Sequence, residues 1–288
     1  MNTPRLGGRG GRERNGVNTR ATLAIVRKDL KVALRNRMVL LPTIIVGLLM
    51  MVLLPAGVGL APQLFNVGGS STSDMSAFLA KMPGNLRSEI AGLSESQTMI
   101  YLMLLYFMAP LYLIVPLMVA SVVAADSFAG EKERKTLEAL LYSPTSDREL
   151  FQAKLMAAWV AAVAVAWLGF IAFGVAANVA AWPIMGRVFF PNVTWVVLAL
   201  FVAPAVAGMG LGATVIVSAR AQGFQDAYQG GSMLVLPLVA LMVFQATGVM
   251  YLSTWLVAGL GLVIWALDAA LIWYGGRTFR RSEIITRF

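Results

Sequence analysis

Long apolar runs alternate with short polar breaks along almost the whole of this chain. Runs near the ~20 residues needed to cross a hydrocarbon core fall at Met38–Gly59, Met99–Ala125, Leu155–Val179, Val193–Val217, Met233–Met250 and Trp255–Tyr274. They predict an all-α polytopic membrane protein, with six transmembrane helices in a single domain over residues 22–288. Ahead of the first run the period changes. Leu23, Val26, Leu30, Ala33 and Leu34 fall on one helical stripe, with Arg27, Lys28, Lys31 and Arg35 mostly elsewhere around the wheel. Thr22–Arg37 is therefore expected to form an amphipathic helix in the headgroup plane, and packing on a partner is compatible with the same helix. Residues 60–98 form an external loop too short for an independent domain, with room for a helix or two between Met75 and Leu93.

The break between the second and third runs, residues 126–154, has a different character. It holds Asp126, Glu131, Lys132, Glu133, Arg134, Lys135, Glu138, Asp147, Arg148, Glu149 and Lys154, in a chain that is only 13% charged. An ionised side chain costs about 2.5–3.5 kcal/mol at the centre of a spanning helix, so the segment is expected to be aqueous. From Gly130 its pattern is helical, with Leu137, Leu140 and Leu141 forming an apolar patch before Ser143-Pro144. Ser146 and Glu149 make a capping box for a helix that enters the third span. A helix, a break and a recapped helix form a protruding elbow whose alternating charges suit a partner's groove.

Composition narrows the chemistry. The chain is 58% hydrophobic and has no Cys and no His, which removes disulfides, thiol nucleophiles, histidine-based metal sites and a Ser-His-Asp triad. The net charge of +9 is local: 20 of the 23 basic residues lie on the side of the termini and three, Lys81, Arg87 and Arg187, on the other. The positive-inside rule then places both termini in the cytoplasm, and nucleic-acid binding is not expected. Residues 1–21 are rich in Gly and Arg without an apolar h-region, and read as a disordered basic tail rather than a signal peptide. The 16 Met residues read as gap filler in apolar helices rather than copper ligands.

Within the spans, Pro110, Pro116, Pro204 and Pro237 are expected to kink their helices. Gly208 and Gly212 form a small-xxx-small pair for close helix approach. Asn178, Gln245 and Thr247 are expected to satisfy helix contacts. Asp268 is the acidic residue deep in a span and the candidate intramembrane polar site, either hydrogen-bonded to a neighbouring helix, near the cytoplasmic water interface, or binding an ion.

The stretch Ala129-Gly-Glu-Lys-Glu-Arg-Lys-Thr-Leu-Glu-Ala-Leu-Leu-Tyr-Ser-Pro-Thr-Ser146, followed by Glu149-Leu and Lys154-Leu, resembles the signature of type-2 ATP-binding-cassette (ABC) transport permeases, including their sodium-efflux-like branch. Val26-Arg-Lys-Asp-Leu30, Leu34-Arg-Asn-Arg37 and the stretch from Val217-Ser-Ala-Arg220 through Gln225 to Leu236 are similar too. The resemblance implies two six-span permease subunits, as a homodimer or related heterodimer, paired with two ATPase subunits in a plasma membrane, the inner membrane of a prokaryote. It implies a coupling helix over Gly130–Tyr142, with Gly130, Glu131, Lys132, Glu133, Arg134, Lys135, Thr136, Leu137, Glu138 and Leu141 meeting the ATPase. It also implies an interface helix over Thr22–Arg37 that includes Arg27, Lys28, Leu30, Lys31 and Arg35, and transport mostly outward. The short external loop departs from the sodium-efflux branch, whose members often carry a larger domain there.

The chain has no G-x-x-x-x-G-K-[ST] phosphate loop. It is therefore expected to be no enzyme itself and to hold no cofactor, with ATP and Mg on the partner subunit. An intramembrane hydrolase lacks its paired acid and base groups. An ion-gradient-driven secondary transporter or channel using Asp268 is the alternative, and the halves show no internal repeat that would favour it. Spans almost without fixed charge suit a lipid, an amphipathic drug or a peptide as substrate.

Overall fold

The computed structural model describes residues 19–65, 84–134, 147–247 and 250–278. Helix α1 (Thr19–Ala33) is followed by α2 (Arg37–Leu64), the short α3 (Gly84–Ile90), α4 (Glu95–Glu133), α5 (Asp147–Met185), α6 (Val193–Ser218), α7 (Phe224–Ala246) and α8 (Thr254–Thr278). Among the described residues there is no strand. Among the described residues six helices, α2 and α4–α8, are long and apolar enough to cross a membrane; five of them contain an expected apolar run whole, and α7 ends at Ala246, short of the expected Met250. The fifth helix starts earlier than its run, at Phe224 rather than Met233.

Burial sorts these helices into two layers. The most apolar window of α4 is 78% buried and that of α6 is 67% buried, against 17–28% for the other four. Helices α4 and α6 pack on each other at the centre, with α5 and α7 against both and α8 against α6. Small residues allow the close approach: a Cβ at Gly210 would sit 2.8 Å from Leu117 Cδ1, and one at Gly261 2.8 Å from Phe201 Cε1. An aromatic cluster, Tyr112, Phe173, Phe190 and Trp195, fills one end of the core.

The prolines reshape the helices by a specific route. π-helical turns at Leu49–Leu53, Leu102–Phe107 and Leu198–Val202 each lie within three residues of a following proline, Pro55, Pro110 and Pro204. A wide turn relieves the clash of the ring with the preceding turn and leaves carbonyls without helical donors. Side chains fill those vacancies. Trp195 Nε1 donates to Leu105 O at 2.8 Å, Gln245 Nε2 to Tyr106 O at 3.1 Å and Trp167 Nε1 to Ala199 O at 3.0 Å. Leu105 and Ala199 stand five residues before Pro110 and Pro204, and Tyr106 stands four before Pro110. Each acceptor therefore faces a position where proline offers no N–H.

At the end opposite the charged break, the Asn178 amide ties α5 to the following turn. Its Nδ2 donates to Phe190 O at 2.8 Å and its Oδ1 accepts from Phe189 N at 3.1 Å. Ser94 and Gln97 form a capping box that starts α4.

Candidate functional site

Helices α4 and α5 have 39 residues each, about 58 Å at 1.5 Å per residue, well beyond a ~30 Å hydrocarbon core. Both therefore project past the membrane, and their adjoining ends carry the charged break. The expected boundary after Ala125 is not a break in the helix: α4 runs on as a fourth π-helical turn, Asp126–Gly130, and a last α-turn to Glu133. Unlike the other three, this wide turn has no proline behind it. Polar contacts from Asn36, before α2, and Lys154, on α5, hold it instead.

The expectation of a water-facing segment is corrected at its two edges: Asp126 and Lys154 are only 4% and 1% exposed and pair inside the chain, whereas Glu133 and Arg134 at the end of α4 are exposed. Lys154 Nζ, at the start of the apolar part of α5, meets Glu131 Oε2 at 2.5 Å and donates to Ser127 O at 2.6 Å. The Glu131 N–H turns to Phe128 O, away from its ordinary i−4 acceptor, Ser127 O, which the ammonium engages instead. Phe128 and Phe151 stack edge to face beneath, and the ammonium lies 5.6 Å from the Phe128 ring centre. A buried lysine tolerates this position because an opposite charge and a carbonyl replace its water.

Asp126 holds a second set of contacts. Its Oδ1 accepts from Arg134 Nη1 at 2.9 Å and from Asn36 Nδ2 at 3.0 Å. Gly130 sits under that pair: a Cβ there would lie 3.0 Å from Asp126 Oδ1 and 3.2 Å from the guanidinium, so a bare backbone lets the bridge close across it. The same Asn36 side chain caps α2, its Oδ1 accepting from Met38 N at 3.0 Å. One amide thus joins the start of α2 to the end of α4.

Glu133 and Lys132 reach α7. The N-cap of α7, Gly223, offers no side-chain acceptor, and Glu133 Oε2 supplies one, taking the Phe224 N–H at 2.9 Å. A carboxylate there also meets the positive end of the helix dipole. A Cβ at Gly223 would fall 2.7 Å from that oxygen. Lys132 Nζ donates to Ala221 O at 3.3 Å.

Helix α1 completes the junction by packing on α5. Lys28 pairs with Asp29 at 2.9 Å and lies 3.8 Å from Glu131. Burial opposes its charge, but the two carboxylates outweigh that cost and raise its pKa above the usual 10.5. The face that α1 buries differs from the expected stripe. Ala33 and Asp29 are buried, Leu30 is half-buried, and Leu23 and Leu34 are exposed, as are Arg27, Lys31 and Arg35.

Of the ten residues expected to meet an ATPase, Gly130, Glu131, Lys132, Glu133 and Arg134 come together here. Lys135, Thr136, Leu137, Glu138 and Leu141 lie outside the described residues, as does Ser146. Glu131 and Glu133 make contacts within the chain, to Lys154 and to the start of α7, with Glu133 itself exposed. Sequence reasoning left Asp126, Lys154, Asn36, Asp29 and Gly223 out of the site. The available signal was that Asp126 and Lys154 abut apolar spans at facing helix ends, where a charge requires a partner in protein, and that Asn36 precedes a helical run as an N-cap.

Asp268 stands apart, in α8. It is 1% exposed, and neither carboxylate oxygen has a hydrogen-bond partner among the described residues. Of the alternatives for this residue, a hydrogen bond to a neighbouring helix is not made among the described residues. The carboxylate lies instead on the bare backbone of α6, where a Cβ at Gly208 would be 2.5 Å from Asp268 Oδ2. Among the described residues no cluster of acidic side chains could hold a metal ion.

The family model described as "ABC-2 family transporter protein" matches residues 23–266. The search of curated proteins returned no match, and neither did the search of solved structures. The family match spans five of the apolar helices and most of the sixth, together with the charged junction. The chain thus belongs to the ABC-2 family of transporter proteins, as a membrane-spanning permease subunit that works with an ABC ATPase.

Proposed function

We propose that the junction is the transmission of an exporter. ATP-driven closure of the partner ATPases presses on the elbow between α4 and α5, and the junction passes that displacement to the spanning helices. The observation that carries this reading is connectivity. Over one short stretch, 126–134, the base of the elbow bonds to α2 through Asn36, to α5 through Lys154, to α7 through Phe224 and to α1 through Lys28. Buried ion pairs are poor sources of net stability but fix relative geometry, as a mechanical linkage requires. The charged end faces the cytoplasm in this reading, with both termini, because 20 of 23 basic residues lie there. Lys135, Thr136, Leu137, Glu138 and Leu141 form the part that meets the ATPase, which holds the ATP and Mg.

The permease acts as a pair of such subunits in a plasma membrane. Exposed apolar faces on α2, with Leu41, Ile45 and Leu48, and on α7, with Met233, Leu236 and Val243, leave ample surface for a second copy and for lipid. The sodium-efflux-like branch rests on the Ala129–Ser146 motif, and the modest segment between α2 and α4 argues against sodium itself as cargo. An apolar or amphipathic substrate fits spans that hold so little charge.

The test is to purify the tagged chain with its ATPase in mild detergent and follow vanadate-sensitive ATP hydrolysis and transport after reconstitution. Asn36→Ala with Glu131→Gln is expected to retain the ATPase subunit but uncouple hydrolysis from transport, while Arg27→Gln behaves as the parent. Full coupling in the double variant would remove the transmission role. The ion-gradient reading draws on the unpartnered Asp268 carboxylate. Transport without any ATPase, abolished by Asp268→Asn, would install it instead.

A further inference from the structure

At the outer edge of the junction, α1 and the end of α4 enclose an open groove of about 480 Å³, lined by Lys28, Lys31, Val32, Arg35, Asn36 and Arg134. Four of the six lining residues are cationic and none is acidic. Lys28, Lys31 and Val32 lie at the three- and four-residue spacing that places them on one face of α1, and Arg35 stands in the turn just after Ala33. The cations differ in their commitments. Lys28 is tied to Asp29 and Arg134 to Asp126. Lys31 and Arg35 are exposed and have no hydrogen-bond or ion-pair partner among the described residues. Among the described residues the acids nearest the groove, Asp29 and Asp126, are already paired with Lys28 and Arg134, so the charge of Lys31 and Arg35 is turned outward.

The rim indicates where the missing counter-charge comes from. Val32, Leu34, Met38 and Leu41 are 48–71% exposed around and beyond the groove, and Met38 and Leu41 begin the lipid-facing surface of α2. A cationic pocket bordered by an apolar ledge at the start of a spanning helix matches a phosphate with acyl chains attached. Ammonium and guanidinium groups bind phosphate oxygens by charge-assisted hydrogen bonds, the guanidinium in a two-pronged fashion. Basic residues beside a membrane add attraction for anionic lipid.

We infer that this groove is a binding site for a phosphate group, in the form of an anionic phospholipid headgroup, with Lys31 and Arg35 as its principal ligands and Lys28 and Arg134 completing its positive wall. A lipid held there braces α1 against the base of α4. The site needs only that the chain spans a bilayer, as its family membership establishes, and does not depend on the transmission role.

The experiment uses the full chain in detergent without ATPase, titrated with phosphatidylglycerol, phosphatidylcholine, inorganic phosphate or glycerol phosphate, with binding read by native mass spectrometry and thermal shift. Parent protein is expected to retain phosphatidylglycerol in preference to phosphatidylcholine. Lys31→Gln with Arg35→Gln is expected to weaken that binding about tenfold or more. Arg27→Gln, on the same helix but outside the groove, controls for general loss of surface charge and is expected to bind as the parent does. Stabilisation by phosphatidylglycerol alone assigns the headgroup as source; equal stabilisation by inorganic or glycerol phosphate keeps the phosphate site and assigns a soluble source. Equal binding of both lipids with no response to phosphate, or undiminished phosphatidylglycerol binding by a folded double variant, overturns the assignment.

Discussion

Lys154 shows how one side chain governs a boundary. Its ammonium occupies a site with 1% exposure and holds Glu131 and the Ser127 carbonyl at once. Lys154→Met removes one partner of a buried pair, and the expected loss is about 3–5 kcal/mol, measured by thermal unfolding in detergent. Glu131→Gln together with Lys154→Met removes both charges, and most of that loss should be recovered. Full additivity of the two single effects would show that the pair is not coupled. The contact of Asp268 with α6 gives a second residue-scale expectation. Gly208→Ala drives a methyl group to 2.5 Å from the carboxylate, and overpacking of this kind costs about 1–3 kcal/mol. Adding Asp268→Ala should restore stability, because the clash has a single partner side. No recovery would place the strain elsewhere along the interface.

Single helices are completed here by side chains from others. Helix α7 begins without a cap of its own and borrows Glu133. Glu133→Ala is expected to cost about 1 kcal/mol, seen as roughly fivefold faster amide exchange at Phe224, with little change deeper in α7. Helix α4 likewise depends on Trp195, whose indole serves the Leu105 carbonyl that faces Pro110 across a wide turn. Trp195→Phe preserves most of the packing but leaves that buried acceptor unpaired, at an expected cost of about 1–3 kcal/mol. A melting temperature unchanged from the parent would mean that another donor serves Leu105. The prolines were plain in the chain, and kinks were expected of them. The donors that make the distortions tolerable come from residues 32 to 139 positions away, and no local pattern connects them.

For the molecule as a whole, two inner helices and four outer ones set where change is tolerated. Val119 in α4 is 2% exposed and Leu236 in α7 is 67% exposed. Val119→Trp should abolish recovery of monodisperse protein, whereas Leu236→Trp should leave it unchanged in detergent. A loss at Leu236 in membranes but not in detergent would mark that face as the contact with a second copy. The same layering bears on the proposed transmission role. The inner helix α4 touches most of its neighbours, so a displacement at its base reaches several helices at once.

The number of spans, the amphipathic lead helix and the position of the charged break were legible because each depends on local hydropathy along the chain, compared with the fixed thickness of a bilayer. The motif around Gly130 was legible as well, enough to place the chain near its family. Where α4 ends was not. Charge alone argued for water at Asp126, while the helix continues because Arg134, Asn36 and Lys154 neutralise and bond its polar groups inside the protein. Those pairings depend on the register of α4 against α5 and on where α1 lies, and register is a property of packed surfaces rather than of sequence spacing. The same holds for Asp29, which reads as one more charge on a polar helix until packing buries it beside Lys28, and for the groove of Lys31 and Arg35, whose positive charge is defined only once Asp29 and Asp126 are seen to be paired elsewhere. Composition and periodicity therefore determined that the chain is a six-helix membrane protein with a charged break between its second and third spans. The tertiary structure decided which charges face each other, because a Coulomb interaction between side chains depends on distance in space, and that distance is set by how the helices pack.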